Sequence, residues 1–189
     1  MFVIHTFKRF STKDGRKAVL RNPRWDDLDD LLEAFNSFVE EQSDEFCTTN
    51  EKWTREQMAD DLGVMLANRE NNRSFSLIVE VDGKTIGISE LTKKRGFSRH
   101  VGLVSVLGIK KDYRNLGIGT EMLELLVSQA ERMKLKMLVL YTFSTNKRAI
   151  HVYEKVGFKE TGRTPKLFYK NGKNIDEVIM VKQLTNSQC

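Results

Sequence analysis

The chain is 189 residues long, 40% apolar and 30% charged, enough for one well-filled domain, and no apolar run is long enough to span a bilayer. The start, MFVIHTFKRF, is broken by Lys8 and Arg9 and lacks a small-residue cleavage site, so it does not read as a signal peptide and a cytoplasmic protein is expected. Cys47 and Cys189 stand alone and His5, His100 and His151 are scattered, a pattern that suits a reducing compartment and offers no metal site.

The formal net charge of +5 is unevenly spread. Residues 1–90 hold 12 Lys/Arg against 18 Asp/Glu, whereas residues 91–189 hold 19 against 8. Between Asp26 and Asp61, thirteen acids face only Lys52 and Arg55. An acidic wall of this kind favours a cationic amine and the basic half favours phosphates, although solvated helix faces carry charge in the same way.

Residues 1–14 read as an N-terminal tail, 15–184 as a single domain and 185–189 as a C-terminal tail. Arg16–Arg21 reads as a short strand. Trp25–Glu41 places Leu28, Leu31, Leu32, Phe35 and Phe38 at helical spacing, and Glu51–Asn68 does the same with Trp53, Met58, Leu62, Met65 and Leu66. The strand Phe75–Val81 turns through Asp82-Gly83 into Lys84–Leu91, a hairpin signal. A basic loop, Lys93–Arg99, leads to the strand Val101–Ile109 and then to a helix, Gly117–Met133. The nearly unbroken apolar run Met137–Phe143 is that of a parallel strand covered on both faces, which makes a strand–helix–strand crossover. After a helix from Asn146, strands from Phe158 onward and over Ile175–Gln183 pair through a turn at Asn171-Gly172. The fold class expected is α/β, a mixed twisted sheet of six or seven strands with helices on both faces.

Two segments carry chemistry. In I109-K-K-D-Y-R-N-L-G-I-G-T120, Gly117 and Gly119 have no side chain to hold an anion away from the backbone, and the helix start behind them supplies unpaired N–H groups. Arg114 adds a forked cation suited to a pyrophosphate. The Gly-Lys-Ser/Thr ending of a nucleotide triphosphatase loop is missing, and so is the third glycine of a dinucleotide fold. In N146-K-R-A-I-H-V-Y-E-K-V-G-F158, Asn146 and Tyr153 are seven residues apart and share a helix face, continued by Ala149, Ile150 and Val156. Gly157 fits the left-handed position that ends a helix.

The first segment resembles the Arg/Gln-x-x-Gly-x-Gly/Ala loop of the GNAT N-acetyltransferases, and the second resembles that family's Asn-x-x-Ala-x-x-x-Tyr-x-x-x-Gly-Phe stretch. Together they cover about residues 75–182. The resemblance implies acetyl-CoA as acetyl donor, held by Leu107, Ile109, Arg114, Asn115, Leu116, Gly117, Ile118, Gly119 and Thr120. Asn146 would reach the pantetheine arm and Tyr153 would sit beside the thioester sulfur.

The implied reaction is attack of an amine on a thioester. A lysine-like amine has a pKa near ~10.4, so scarcity of the neutral nucleophile at pH 7 costs about 4–5 kcal/mol unless a base helps. Many relatives place a Glu on the strand before the phosphate loop, yet Val101–Ile109 contains no acid. Glu90 is the first candidate base and His100 the second. Tyr153 is the candidate proton donor to the departing thiolate. Trp53, Phe168 and Tyr169 are candidates for the acceptor pocket. A non-catalytic acyl-CoA-binding regulatory module is the alternative, supported by the missing strand carboxylate and opposed by the retained Tyr153. A nucleic-acid module built on Lys93, Lys94, Arg95 and Arg99 is weaker, because Phe97 is its one aromatic and the acidic half would repel phosphate. The partners expected are a small-molecule or protein amine, with neither nucleic acid nor membrane, and a homodimer is compatible with the sequence.

Overall fold

A computed structural model describes residues 5–41 and 51–184, with position 106 described by its backbone alone. Cys47, Cys189 and the expected tail at 185–189 lie outside the described residues. The strands are β1 (Thr6–Ser11), β2 (Lys17–Arg21), β3 (Ser74–Val81), β4 (Lys84–Lys93), β5 (Val101–Ile109), β6 (Met137–Phe143), β7 (Lys159–Lys170) and β8 (Lys173–Gln183). The helices are α1 (Leu28–Glu40), α2 (Arg55–Glu70), α3 (Ile118–Arg132) and α4 (Lys147–Lys155).

All eight strands form one mixed sheet in the order β1-β2-β3-β4-β5-β6-β8-β7, with β5 and β6 parallel and the other neighbours antiparallel. The expected architecture holds, with more strands than the six or seven expected. The extra one is β1. Residues 6–11, expected as part of a tail, pair with β2 at the sheet edge because Phe7 and Phe10 pack on the main core.

Alternation along β3 divides the two faces. Leu77 and Val79 point to a core shared with Met122, Leu123 and Leu126 of α3 and with Tyr153 and Phe158. Ile78 points the other way, to Leu28 and Leu31 of α1 and Met58, Leu62 and Leu66 of α2. Helix α2 starts later than its apolar pattern because Thr54 and Gln57 form a reciprocal cap: the Gln57 N–H donates to Thr54 Oγ1 at 3.2 Å and the Thr54 N–H to Gln57 Oε1 at 2.8 Å.

Charges at the start of α1 are structural. Arg21 and Asp27, with side chains 5% and 3% exposed, pair through two hydrogen bonds of 2.8 and 2.6 Å, and Arg21 Nε donates to Glu80 at 2.9 Å. Part of the expected acidic wall is engaged in ion pairs nearer the surface: Asp29 pairs with Arg55, Glu33 with Lys110, Glu40 with Lys52 and Glu41 with Arg114.

Candidate active site

Strands β5 and β6 pair through only three positions, Val101↔Met137, Gly102↔Leu138 and Leu103↔Val139. Beyond Leu103 they part, and a cleft opens above them. Across β4 the register slips, Ser89 standing opposite Leu107 and Glu90 opposite Ser105, so position 106 is an extra residue bulged out of β5 beside the opening.

On one side the cleft is lined by the loop between β5 and α3. Gly117 caps α3 in the left-handed region, at φ 87°, and Asn115 also has positive φ, 63°. Only glycine adopts that first conformation without strain. A Cβ added at Gly119 would meet Ile109 Cδ1 at 3.5 Å, an ordinary contact, and one at Gly117 would meet nothing nearer than Lys13 Cε at 3.9 Å. The space in front of both glycines therefore belongs to the cleft, and it fits a phosphate group against the first N–H groups of α3.

Of the residues expected to hold coenzyme, Leu107, Ile109, Arg114, Asn115, Gly117, Ile118, Gly119, Thr120 and Asn146 all line this cleft. Leu116 does not: its side chain packs on the core and its carbonyl accepts the Lys13 N–H at 3.2 Å. Arg114 lines the cleft with its nitrogens already engaged. Its Nε donates to the Ile109 carbonyl at 2.7 Å, and Nη1 and Nη2 donate to Glu41 at 2.5 and 2.7 Å. The lining also holds Lys13, Arg148, His151 and Lys155 and no carboxylate. Lys13 was hidden in the supposed tail. Arg148 and Lys155, seven apart on α4, were legible as one helix face.

Asn146 is the N-cap of α4, its Oδ1 accepting the Ala149 N–H at 3.1 Å. Gly157, at φ 94°, ends that helix as expected. Tyr153 is 7% exposed, with its ring centroid 6.2 Å from that of Phe158, and burial pushes its phenol from 10.0 up to about 12. Among the residues lining the cleft are Tyr153's helix neighbours Ala149 and Val152, but not Tyr153 itself.

Glu90 lies on the opposite face, the one covered by α1 and α2. Its Oε1 is 3.3 Å from the Ser76 hydroxyl, which donates to it. Asp61 of α2 is beside it: burial pushes the Asp61 carboxyl above its usual value, and the charge of Glu90 adds to that push. His100 is exposed and precedes the paired stretch of β5, so it stands farther from the opening than Glu90 does. Tyr141, which the sequence did not single out, follows Val139 by two and so shares the face of Leu103 and Glu90; it is 43% exposed. Trp53 packs on Phe35 at 4.2 Å and Phe168 on Phe143 at 4.6 Å, while Tyr169 is exposed.

The cleft thus combines a strand–helix–strand crossover, a glycine loop that opens α3 and a parted strand pair, with Glu90 on the far face of the sheet. The chain matches the model of the acetyltransferase (GNAT) family over residues 25–158, and it belongs to that family. It is 29% identical to an uncharacterized N-acetyltransferase of Methanocaldococcus jannaschii over 75% of this chain and 60% of that protein, so the chain spans less than two thirds of that relative. A GNAT-family acetyltransferase structure from Streptococcus pneumoniae superposes with a TM-score of 0.77 at 27% identity, covering 88% of this chain and 99% of the other. A Salmonella typhimurium structure with its cofactor acetyl-CoA has the same fold, with a TM-score of 0.77 at 21% identity over 91% of this chain and 96% of that one.

Proposed function

We propose that this chain moves the acetyl group of acetyl-CoA onto a primary amine by direct attack in a ternary complex. The observation that carries this reading is the parting of β5 and β6 after Leu103, which opens the sheet between a phosphate-binding loop on one face and Glu90 on the other. When bound, acetyl-CoA supplies a thioester carbonyl activated for nucleophilic attack.

The chain's own residues do the rest. N–H groups at the start of α3 and the Lys13 ammonium hold the pyrophosphate, and Asn146, at the start of α4, meets the pantetheine arm. Glu90 accepts the ammonium proton, directly or through water, and the Asp61 charge beside it favours a cationic acceptor. Tyr141 and Ser105 edge the opening on the acceptor's side. Tyr153, just behind the lining residues Ala149 and Val152, donates a hydrogen bond to the departing sulfur once the coenzyme is seated. A phenol near 12 faced with a thiol of about 8.5 would give up its proton at a cost of roughly 5 kcal/mol, so it stabilises the thiolate by hydrogen bonding and leaves full protonation to solvent.

Thiol release from acetyl-CoA, followed over a panel of α-amines, lysine-like amines and polyamines, tests the reading. Turnover with at least one amine, with the acetyl group found on the nitrogen by mass spectrometry, is the expected result. Tight acetyl-CoA binding with no turnover on any amine would move the chain to the regulatory-module alternative.

A further inference from the structure

At the end of the sheet away from the phosphate loop, the connection from β4 to β5 reads Lys93-Lys94-Arg95-Gly96-Phe97-Ser98-Arg99-His100. Backbone hydrogen bonds bring further cations to it. The Lys93 N–H donates to the Arg73 carbonyl at 2.9 Å, and the Lys136 N–H donates to the His100 carbonyl at 2.8 Å. Arg132 and Lys134, at the end of α3, lie in the same connection as Lys136.

Elsewhere Arg21, Arg55, Lys110, Arg114 and Arg163 are paired with carboxylates, while single cations such as Lys17, Lys111 and Lys173 are exposed without one. Among the described residues, none of the basic side chains at this end makes an ion pair or a side-chain hydrogen bond, and all but Lys94 are exposed. Glu70, Glu90 and Glu131 are the acids nearest in sequence, and none of them pairs with these cations. In the middle stands Phe97, 104% exposed on a single 3-10 turn. Gathering like charges opposes folding, and a bare phenyl ring gains nothing from water.

We propose that this end of the sheet binds single-stranded nucleic acid, its lysines and arginines following the phosphates while Phe97 stacks on a base. Of the acids that argue against such a partner along the sequence, Asp29, Glu33, Glu40 and Glu41 are paired with cations. A membrane surface would call for more apolar area: the other large exposed apolar side chains, such as Trp25, Val64 and Leu167, lie on other elements. An acidic peptide would meet the cations and leave Phe97 unused. Nine residues of β5 at about 3.3 Å each put this surface roughly 30 Å from the phosphate loop, too far to serve the pyrophosphate.

The test is fluorescence anisotropy of a labelled 20-nucleotide oligo(U) with the full chain, across a salt series. Binding should weaken steeply with salt. Replacing Lys94, Arg95 and Arg99 together by Gln should lower affinity more than tenfold and flatten the salt dependence. Phe97→Ala should lower it about five- to a hundredfold with the salt slope unchanged. Acetyl-CoA affinity and melting temperature of both variants should match the parent chain. Unchanged oligo(U) affinity in either variant overturns the proposal. So does tighter binding to a poly-glutamate peptide or to phosphatidylserine vesicles than to oligo(U).

Discussion

Arg114 and Glu41, 73 residues apart, form a two-pronged ion pair in which their side chains are 12% and 13% exposed. The pair ties the end of α1 to the loop between β5 and α3. Arg114→Ala leaves a nearly buried carboxylate without its partner, a loss of about 3 kcal/mol. A fall in melting temperature of roughly 6–12 °C is expected in a chain of this size. Because the partner's desolvation is the main cost, the Arg114→Ala/Glu41→Ala double variant should recover part of it. Calorimetric unfolding of both checks this; equal stability of Arg114→Ala and the parent would assign the arginine wholly to coenzyme.

Gly117 and Gly119 should separate by what they lose. Gly117→Val forces a β-branched residue to φ 87° and should cost about 1–3 kcal/mol of stability together with acetyl-CoA binding. Gly119→Val meets ordinary contacts within the protein, so its fold should be kept while coenzyme binding is lost. Titration calorimetry beside thermal melts measures both quantities, and ATP should compete poorly with coenzyme A in the parent chain.

Tyr153→Phe keeps the buried ring and removes the hydroxyl. Coenzyme affinity should stay within a few-fold while turnover drops about ten- to a thousandfold. A phenol pushed to about 12 remains protonated through pH 10, so the parent should show no loss of turnover from this group between pH 7 and 10. Single-turnover kinetics of both proteins decides it, and equal rates would leave Tyr153 as core packing.

Glu90→Gln should lose most activity at low pH and regain part as the pH rises, because solvent then supplies the free amine that the base would have made. His100→Gln is the control and should follow the parent profile. An even loss across pH would make Glu90 structural, and a low-pH failure confined to His100→Gln would move the role there.

Asp61→Asn should raise stability at neutral pH. Burial and the Glu90 charge raise the carboxyl in the folded state, so its contribution is fully present below the ordinary 3.8 and is lost as pH rises through the elevated value. The amide carries no charge to bury. Melting curves should therefore show the variant ahead at pH 7 and level with the parent at about pH 3; a constant gap at both would point to packing.

The glycine turn before α3 and the helix of the Asn146–Phe158 stretch were legible in advance because they are local: a glycine's φ, a cap and a 3.6-residue period need no distant partner. The same holds for the hairpin at Asp82-Gly83 and the covered strand Met137–Phe143. Strand β1 escaped because Thr6–Ser11 is short and lies at an edge, where weak alternation is enough once β2 offers a partner.

Local pattern thus prescribed the order of elements, the glycine turn and the family. Pairing between distant segments decided the rest. It set Lys13 beside Gly117 and Glu41 on Arg114, put Asp61, Glu90 and Tyr141 on one face and massed unpaired cations around Phe97. Each of these depends on strand register and helix docking, where a shift of one residue sends a side chain to the opposite face. Register is set by the packing of the whole core, which no short window of sequence contains.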